Sequence, residues 1–230
     1  YQRSSDVAVD NPGGYYDFAG ITQVHSGIEL DMNAKLFEKF RLNGMISIGN
    51  WEYKDNITGK RFDVNNNEIS GGTVTTYYTD GVKVGDAAQY TASIGGSYDL
   101  FKTLSFDANY RFVDKLYASL APTQLTSATN KGTLELPSYG LMDAGISFKM
   151  FVGKEKNNTI NLRLNINNVL DEIYIAESRT NIFADDNISS SNPALGTYAS
   201  NNRLYNGVAD SNQVFFGLGR TWNFSIRYNF

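Results

Sequence analysis

The chain has 230 residues, enough for one domain with a sizeable core, and its 20 Lys and Arg against 24 Asp and Glu leave a formal net charge of -4. The basic residues are scattered, which leaves no footprint for nucleic acid, and the absence of Cys excludes structural disulfides and thiolate metal sites. No apolar run reaches the length of a membrane-spanning helix, while 15 Tyr, 14 Phe and 21 Gly against 4 Pro favour strands and turns, so the expected class is all-β.

The opening YQRSSDVAVDNPGG has neither an initiator Met nor an apolar targeting core, and reads as processed or excerpted. A two-residue alternation then begins. In VHSGIELDMNAKL, Val24, Ile28, Leu30, Met32, Ala34 and Leu36 alternate with His25, Glu29, Asp31, Asn33 and Lys35, which predicts a strand over 22–36 with one greasy and one wet face. A second strand is expected over 41–54. Its Leu42, Ile46 and Ile48 keep one phase, and Trp51 and Tyr53 take the other, which predicts a bulge or the end of the buried band, with the two aromatics at an outer girdle. The same rhythm predicts strands over 88–100, 104–115, 139–151 and 159–170. The chain closes with 214–230, where Trp222, Phe224, Ile226, Tyr228 and Phe230 oppose Asn223, Ser225, Arg227 and Asn229.

Short links (LFEKF, LFKT, FVGKEKNNT) alternate with long ones at 55–87, 116–138 and 171–213, of about 30, 20 and 40 residues, well beyond the usual length of a connection. In an up-and-down meander alternate links lie at the same end, so one rim carries tight turns and the other large loops. This is the layout of a transmembrane antiparallel β-barrel. The last strand also spans about nine residues, the length a tilted strand needs to cross a bilayer, with Trp222 near one end and Tyr228 and Phe230 near the other. Seven is an odd number where single-chain bacterial barrels are even, so the segment reads as the C-terminal portion of a larger barrel. A soluble β-sandwich, such as an adhesin, stays open on the alternation alone.

Several stretches carry a family resemblance. NINNVLDEIY, through Asn168, Val169, Leu170, Asp171 and Tyr174, resembles the N-L-F-D-x-x-Y segment of TonB-dependent outer-membrane transporters. Gly27, Glu29 and Leu30 are similar to that family's x-G-x-E-L-E strand, DGVKVGDAAQYTASIGGSYDL with LSFDANYRFVDKLYA to its strand, turn and returning N-Y-R-F/Y, and GRTWNFSIRYNF to its closing strand. The resemblance covers residues from about 20 to the end. It implies residues 1–230 as the last seven strands of a barrel of roughly 22, with the plug domain absent from this chain. The implied activity is import of a scarce nutrient, such as a ferric siderophore, haem or cobalamin, across the bacterial outer membrane with energy from the TonB complex. The implied partners are outer-membrane lipid and lipopolysaccharide, the plug and the TonB complex outside this chain, and the small-molecule nutrient. A surface lipoprotein is a further candidate, although the closing motifs look less like the glycan-importing branch that uses one. Asn-rich loops and DGVKVGDAAQ resemble Bacteroidota sequences. The resemblance assigns Trp222, Phe224, Ile226, Tyr228 and Phe230 to the outer-membrane insertion signal. A passive porin or structural barrel is the alternative reading.

The wet face carries Glu29, Asp31, Asp107, Arg111, Asp143, Lys149, Arg163 and Arg227, expected to face the lumen and to hold neighbouring strands in register. Tyr15, Tyr16, Tyr77, Tyr78, Tyr198 and Tyr205 sit in the long loops as candidate ligand contacts, since flat amphipathic rings suit such work. Asp185–Asp186 could hold a cation, and the bland alternative is a solvated loop. The lone His25 has no metal-ligand spacing around it and reads as a polar wall position. No catalytic set, metal site or cofactor motif is legible, and no enzyme activity is expected.

Overall fold

The computed structural model describes residues 2–5, 13–69, 75–121, 124–154 and 157–230. Seven long strands build a wall: β1 (Thr22–Phe37), β2 (Phe40–Lys54), β3 (Tyr90–Phe101), β4 (Leu104–Asp114), β5 (Tyr139–Val152), β6 (Asn158–Asn167) and β7 (Thr221–Asn229). They lie in sequence order in one antiparallel sheet, each beside its predecessor. The tight links follow from local chemistry. Phe37 pairs Phe40 across Glu38–Lys39, and the link from β5 to β6 opens at Gly153, whose φ of 91° suits a residue without Cβ.

Register carries the alternation across the whole sheet. One row runs Leu42, Gly96, Ala108, Ala144, Ile166 and Trp222, and the next runs Arg41, Ser97, Asp107, Gly145, Asn165 and Asn223. One face is therefore apolar from edge to edge and the other polar. Among the described residues nothing packs over the apolar face as a second layer: Ile28, Ile94 and Ile226 stand 77%, 57% and 67% exposed. The sheet is also open, with β1 and β7 as its two edges.

The packed core lies in the long connections, which form a cap at one end of the wall. A four-stranded sheet joins Gln2–Ser5, Tyr15–Ala19, Ile57–Phe62 and Thr75–Tyr77. Shorter pairs join Leu116–Tyr117 with Glu135–Leu136, Ile175–Ser178 with Val214–Phe216, and Leu204–Tyr205 with Val208–Ala209. Phe18, Tyr53, Ile57, Tyr77, Val82 and Leu125 form one buried cluster, and Leu116, Ala118, Leu134, Leu136, Ile175 and Val208 another. Each cluster draws on more than one connection, so the loops are welded into a common body.

Two sequence expectations change. Trp51 and Tyr53 are not at an outer girdle, and no bulge precedes them: His25 faces Trp51 and Gln23 faces Tyr53 in unbroken register. The phase of β2 never shifts. Its apolar row ends at Ile48, as the second of the two expected alternatives has it, and continues as Asn50 and Glu52, while the opposite row becomes aromatic where the cap begins, and Tyr53 is buried there. The closing segment 214–230 also divides, with Val214–Phe216 pairing inside the cap and Thr221–Asn229 alone forming the wall.

Candidate functional site

The polar face is organised by ion pairs that cross strands. The Arg41 guanidinium on β2 donates to both Asp99 oxygens on β3 at 2.8 and 3.0 Å, and Arg111 on β4 reaches Asp143 on β5 at 3.2 Å. Arg163 spans further. From β6 it donates to both oxygens of Asp107 on β4 at 2.8 and 2.9 Å, and to the Ser147 hydroxyl on β5 at 2.8 Å. The intervening position is Gly145, where a Cβ would stand 2.6 Å from Arg163 Nη2 and 2.7 Å from Asp107 Oδ2. Glycine is the side chain that lets this pair close over the middle strand. These groups are about half exposed, and exposed pairs contribute little net stability. Their geometry sets strand register. Glu29 accepts a bond from the Ser47 hydroxyl at 3.3 Å, Asp31 faces Met45, and Arg227 faces Asn161.

The NVLDEIY stretch builds a corner where β6 leaves the wall. Asn168 and Asp171 adopt φ of 50° and 57°, angles that Asn and Asp tolerate better than other side-chain-bearing residues. Asn168 is buried. Its amide nitrogen donates to the Glu172 and Leu218 carbonyls at 2.9 and 3.3 Å, its Oδ1 accepts the Glu172 N–H at 2.9 Å, and its own N–H donates to Asp143 at 2.9 Å. Asp171 Oδ1 accepts the Arg220 N–H at 2.8 Å, at the start of the closing strand. Tyr174 lies over Gly217, where any side chain would collide with its ring, and packs at 4.2 Å against Tyr139. Leu170 stays exposed. Of the residues recognised by resemblance, Asn168, Asp171 and Tyr174 thus lock the corner with their side chains, and Leu170 does not.

The loop tyrosines divide. Tyr77 and Tyr198 are buried, Tyr77 edge-on to Phe18 and Tyr198 beneath the Arg203 guanidinium, so both rings are used in packing. Tyr15 stacks on Phe62 at 5.3 Å and donates to Asn66 at 2.8 Å, and Tyr205 is exposed and edge-on to Phe216. The Tyr16 side chain lies outside the described set. Tyr78 lines a polar hollow of about 550 Å³ with Asp80, Lys83, Tyr117, Asn130 and Thr133.

Asp185 and Asp186 already hold a cation, the Lys131 ammonium at 2.6 and 2.7 Å, which ties the 116–138 and 171–213 connections together. Burial pulls the Lys131 pKa down, but the two carboxylate bonds outweigh it and leave the value raised, while the bond from Lys131 holds Asp185 below the usual carboxylate range. Asn181, 2% exposed, reinforces the tie: its Oδ1 accepts the Leu134 N–H at 2.6 Å and its Nδ2 donates to the Ser119 carbonyl at 2.8 Å. Nothing in the sequence marked Asn181 or Lys131, because their partners lie about 50 residues or more away. Gly145 did carry a signal, as a glycine inside an alternating strand. His25 stacks on Trp51 at 5.2 Å with Gln23 3.2 Å from Nε2. Among the described residues no three His, Cys, Asp or Glu converge as metal ligands.

An up-and-down antiparallel wall with an apolar and a polar face, topped by welded loops, is the architecture of an outer-membrane barrel segment. The sequence model of the family described as TonB dependent receptor-like, beta-barrel matches residues 1–169, and the chain belongs to that family. Among solved structures it is similar to the ferric-catecholate import receptor Fiu from E. coli K12 in its open form, with 12% sequence identity and a TM-score of 0.37. The match covers 95% of this chain and 29% of that one, so the chain spans less than a third of the receptor's length.

Proposed function

We propose that the chain is the C-terminal portion of a barrel of roughly 22 strands in a bacterial outer membrane. The whole protein then acts as a receptor that imports a scarce nutrient, of the ferric siderophore, haem or cobalamin kind, with energy from the TonB complex. The observation that carries this reading is the unbroken two-sidedness of the wall, whose exposed apolar rows call for hydrocarbon and whose polar rows call for a wet or protein-filled lumen. Family membership supports it. In this reading the open edges of β1 and β7 pair with strands outside this segment, and a plug outside it rests against the polar face. Trp222, Phe224, Ile226, Tyr228 and Phe230 form the insertion signal, with lipid and lipopolysaccharide around them. Cap residues such as the half-buried Tyr15 and Tyr78 and the exposed Tyr205 meet the nutrient or a surface lipoprotein, and the Asn-rich loops favour a source among the Bacteroidota.

The test is uptake of labelled candidate nutrients by cells with and without the gene, before and after the inner-membrane proton gradient is dissipated. Gene-dependent accumulation that stops with the gradient supports active import. Gene-dependent uptake that continues without it points to a passive pore and overturns the energy-coupled reading.

A further inference from the structure

The apolar face of the wall is not an even surface. On β3 and β4 the row of Gly96 and Ala108 has the smallest side chains, while the rows beside it have large ones: Tyr98 and Phe106 toward the tight turns, Ile94 and Tyr110 toward the cap. These two ridges are four residues apart along each strand, about 13 Å at the backbone. Phe40 on β2 stands at one end, its ring 3.2 Å from where a Cβ on Gly96 would lie, and Met142 on β5 stands at the other. Tyr110 leans out of the way over Gly140, where any side chain would collide with its hydroxyl. An apolar trough of about 480 Å³ results. Both strands are interior and paired along both sides, so the trough does not depend on strands outside this segment.

Shape and polarity select the occupant. A helix with its side chains is about 10–12 Å across and does not fit between ridges of that spacing. A lone strand would carry unpaired backbone groups into an apolar slot. A hydrocarbon chain meets neither obstacle. Each ridge also supplies a phenol, and neither the Tyr98 nor the Tyr110 hydroxyl has a hydrogen-bond partner among the described residues. A phenol in apolar surroundings favours a partner. Tyr98 lies three positions before the end of β3, at the tight-turn rim. With the apolar face in a bilayer, that rim is periplasmic, its leaflet is phospholipid, and tyrosines there sit level with the lipid ester groups.

We propose that this trough binds one phospholipid of the periplasmic leaflet, with an acyl chain along Gly96 and Ala108 and an ester carbonyl accepting the Tyr98 hydroxyl. The site rests on the membrane-facing reading of the apolar face and adds to it a lipid that stays bound instead of exchanging with the bilayer. The test is native mass spectrometry of the whole protein, extracted from outer membranes in mild detergent. One phospholipid is expected to remain at collision energies that strip the detergent. Ala108→Leu fills the floor and lowers the lipid-bound fraction about tenfold. Tyr98→Phe removes only the hydroxyl, lowers it about fivefold, and covers the case in which Ala108→Leu fails to fold. Ala92→Leu, on the same face but outside the trough, leaves it unchanged. No retained phospholipid, or equal retention in folded Ala108→Leu and Tyr98→Phe, overturns the site, as does a dimer mass that Ala108→Leu abolishes. A protein that fractionates with membranes yet holds no lipid removes the site and leaves the importer reading standing, whereas a protein found in the aqueous fraction removes that reading as well.

Discussion

The wall and the cap solve the problem of apolar surface in opposite ways. The cap buries its own: Phe18 is 1% exposed and Leu125 2%, among residues drawn from separate connections. The wall leaves Ile28 77% exposed and Trp222 73%, on the two edge strands of the sheet, each paired along one side. One chain thus holds a region folded against itself, as a soluble domain is, and a region whose apolar face is built for a different solvent. Core packing arguments apply to the first, and to the second only through its surroundings.

Truncation tests that contrast most strongly. Phe18→Ala opens a cavity in the cap and costs about 3–5 kcal/mol, read as lost hydrogen-exchange protection across Tyr15–Ala19 and Ile57–Phe62. Ile28→Ala removes a comparable branched side chain from the wall and changes stability in detergent by about 0.5 kcal/mol or less. Equal losses at both positions would break the comparison. A charge sharpens it next: Ile226→Arg on the apolar face costs about 2–4 kcal/mol for refolding into lipid vesicles, and Ser225→Arg on the polar face costs under about 1 kcal/mol. Similar urea midpoints for the two variants would argue against a lipid-facing side.

Asn181→Leu leaves the Leu134 N–H and the Ser119 carbonyl without their side-chain partner, and costs about 2–3 kcal/mol. Amide exchange there is expected to rise through 116–138 while β4 and β5 stay protected. The smallest effect belongs to the Lys131 clamp. Because Asp185 is held below its ordinary range, the clamp's contribution is complete above the unfolded value near pH 4 and fades as pH falls through the lowered one. The raised Lys131 value gives the opposite limb, complete below about pH 10 and fading above it. Exchange in the two tied connections should therefore rise slightly below pH 4, and Lys131→Met should abolish that dependence.

The faces of the wall were legible because a pleated strand has a period of two, so a polar or apolar choice at each position is also a choice of side. MDAGISFKM puts Ala144 and Ile146 on one side of its strand and INLRLNINN puts Leu164 and Ile166 on one side of its own, and the fold adds the register that sets Ala144 opposite Ile166 and Ile146 opposite Leu164. Trp51 and Tyr53 pointed either to a bulge or to the end of the buried band, and the second holds: β2 keeps its phase, its apolar row stops at Ile48, and its other face enters the cap instead of an outer girdle. The tyrosines at 77 and 198 misled because a loop position does not say whether its ring points out or in.

What the order of residues settled was local and periodic: seven alternating strands, their tight and long links, and the all-β class, since each follows from side-chain direction along a single strand. Everything that depends on residues distant in the chain was left to the folded molecule. Gly145 clears space for Arg163 and Asp107, and Lys131 occupies the acids at 185 and 186. Those relations arise from strand order and loop closure, which bring together groups tens of residues apart, and no periodicity in the chain encodes which of them will meet.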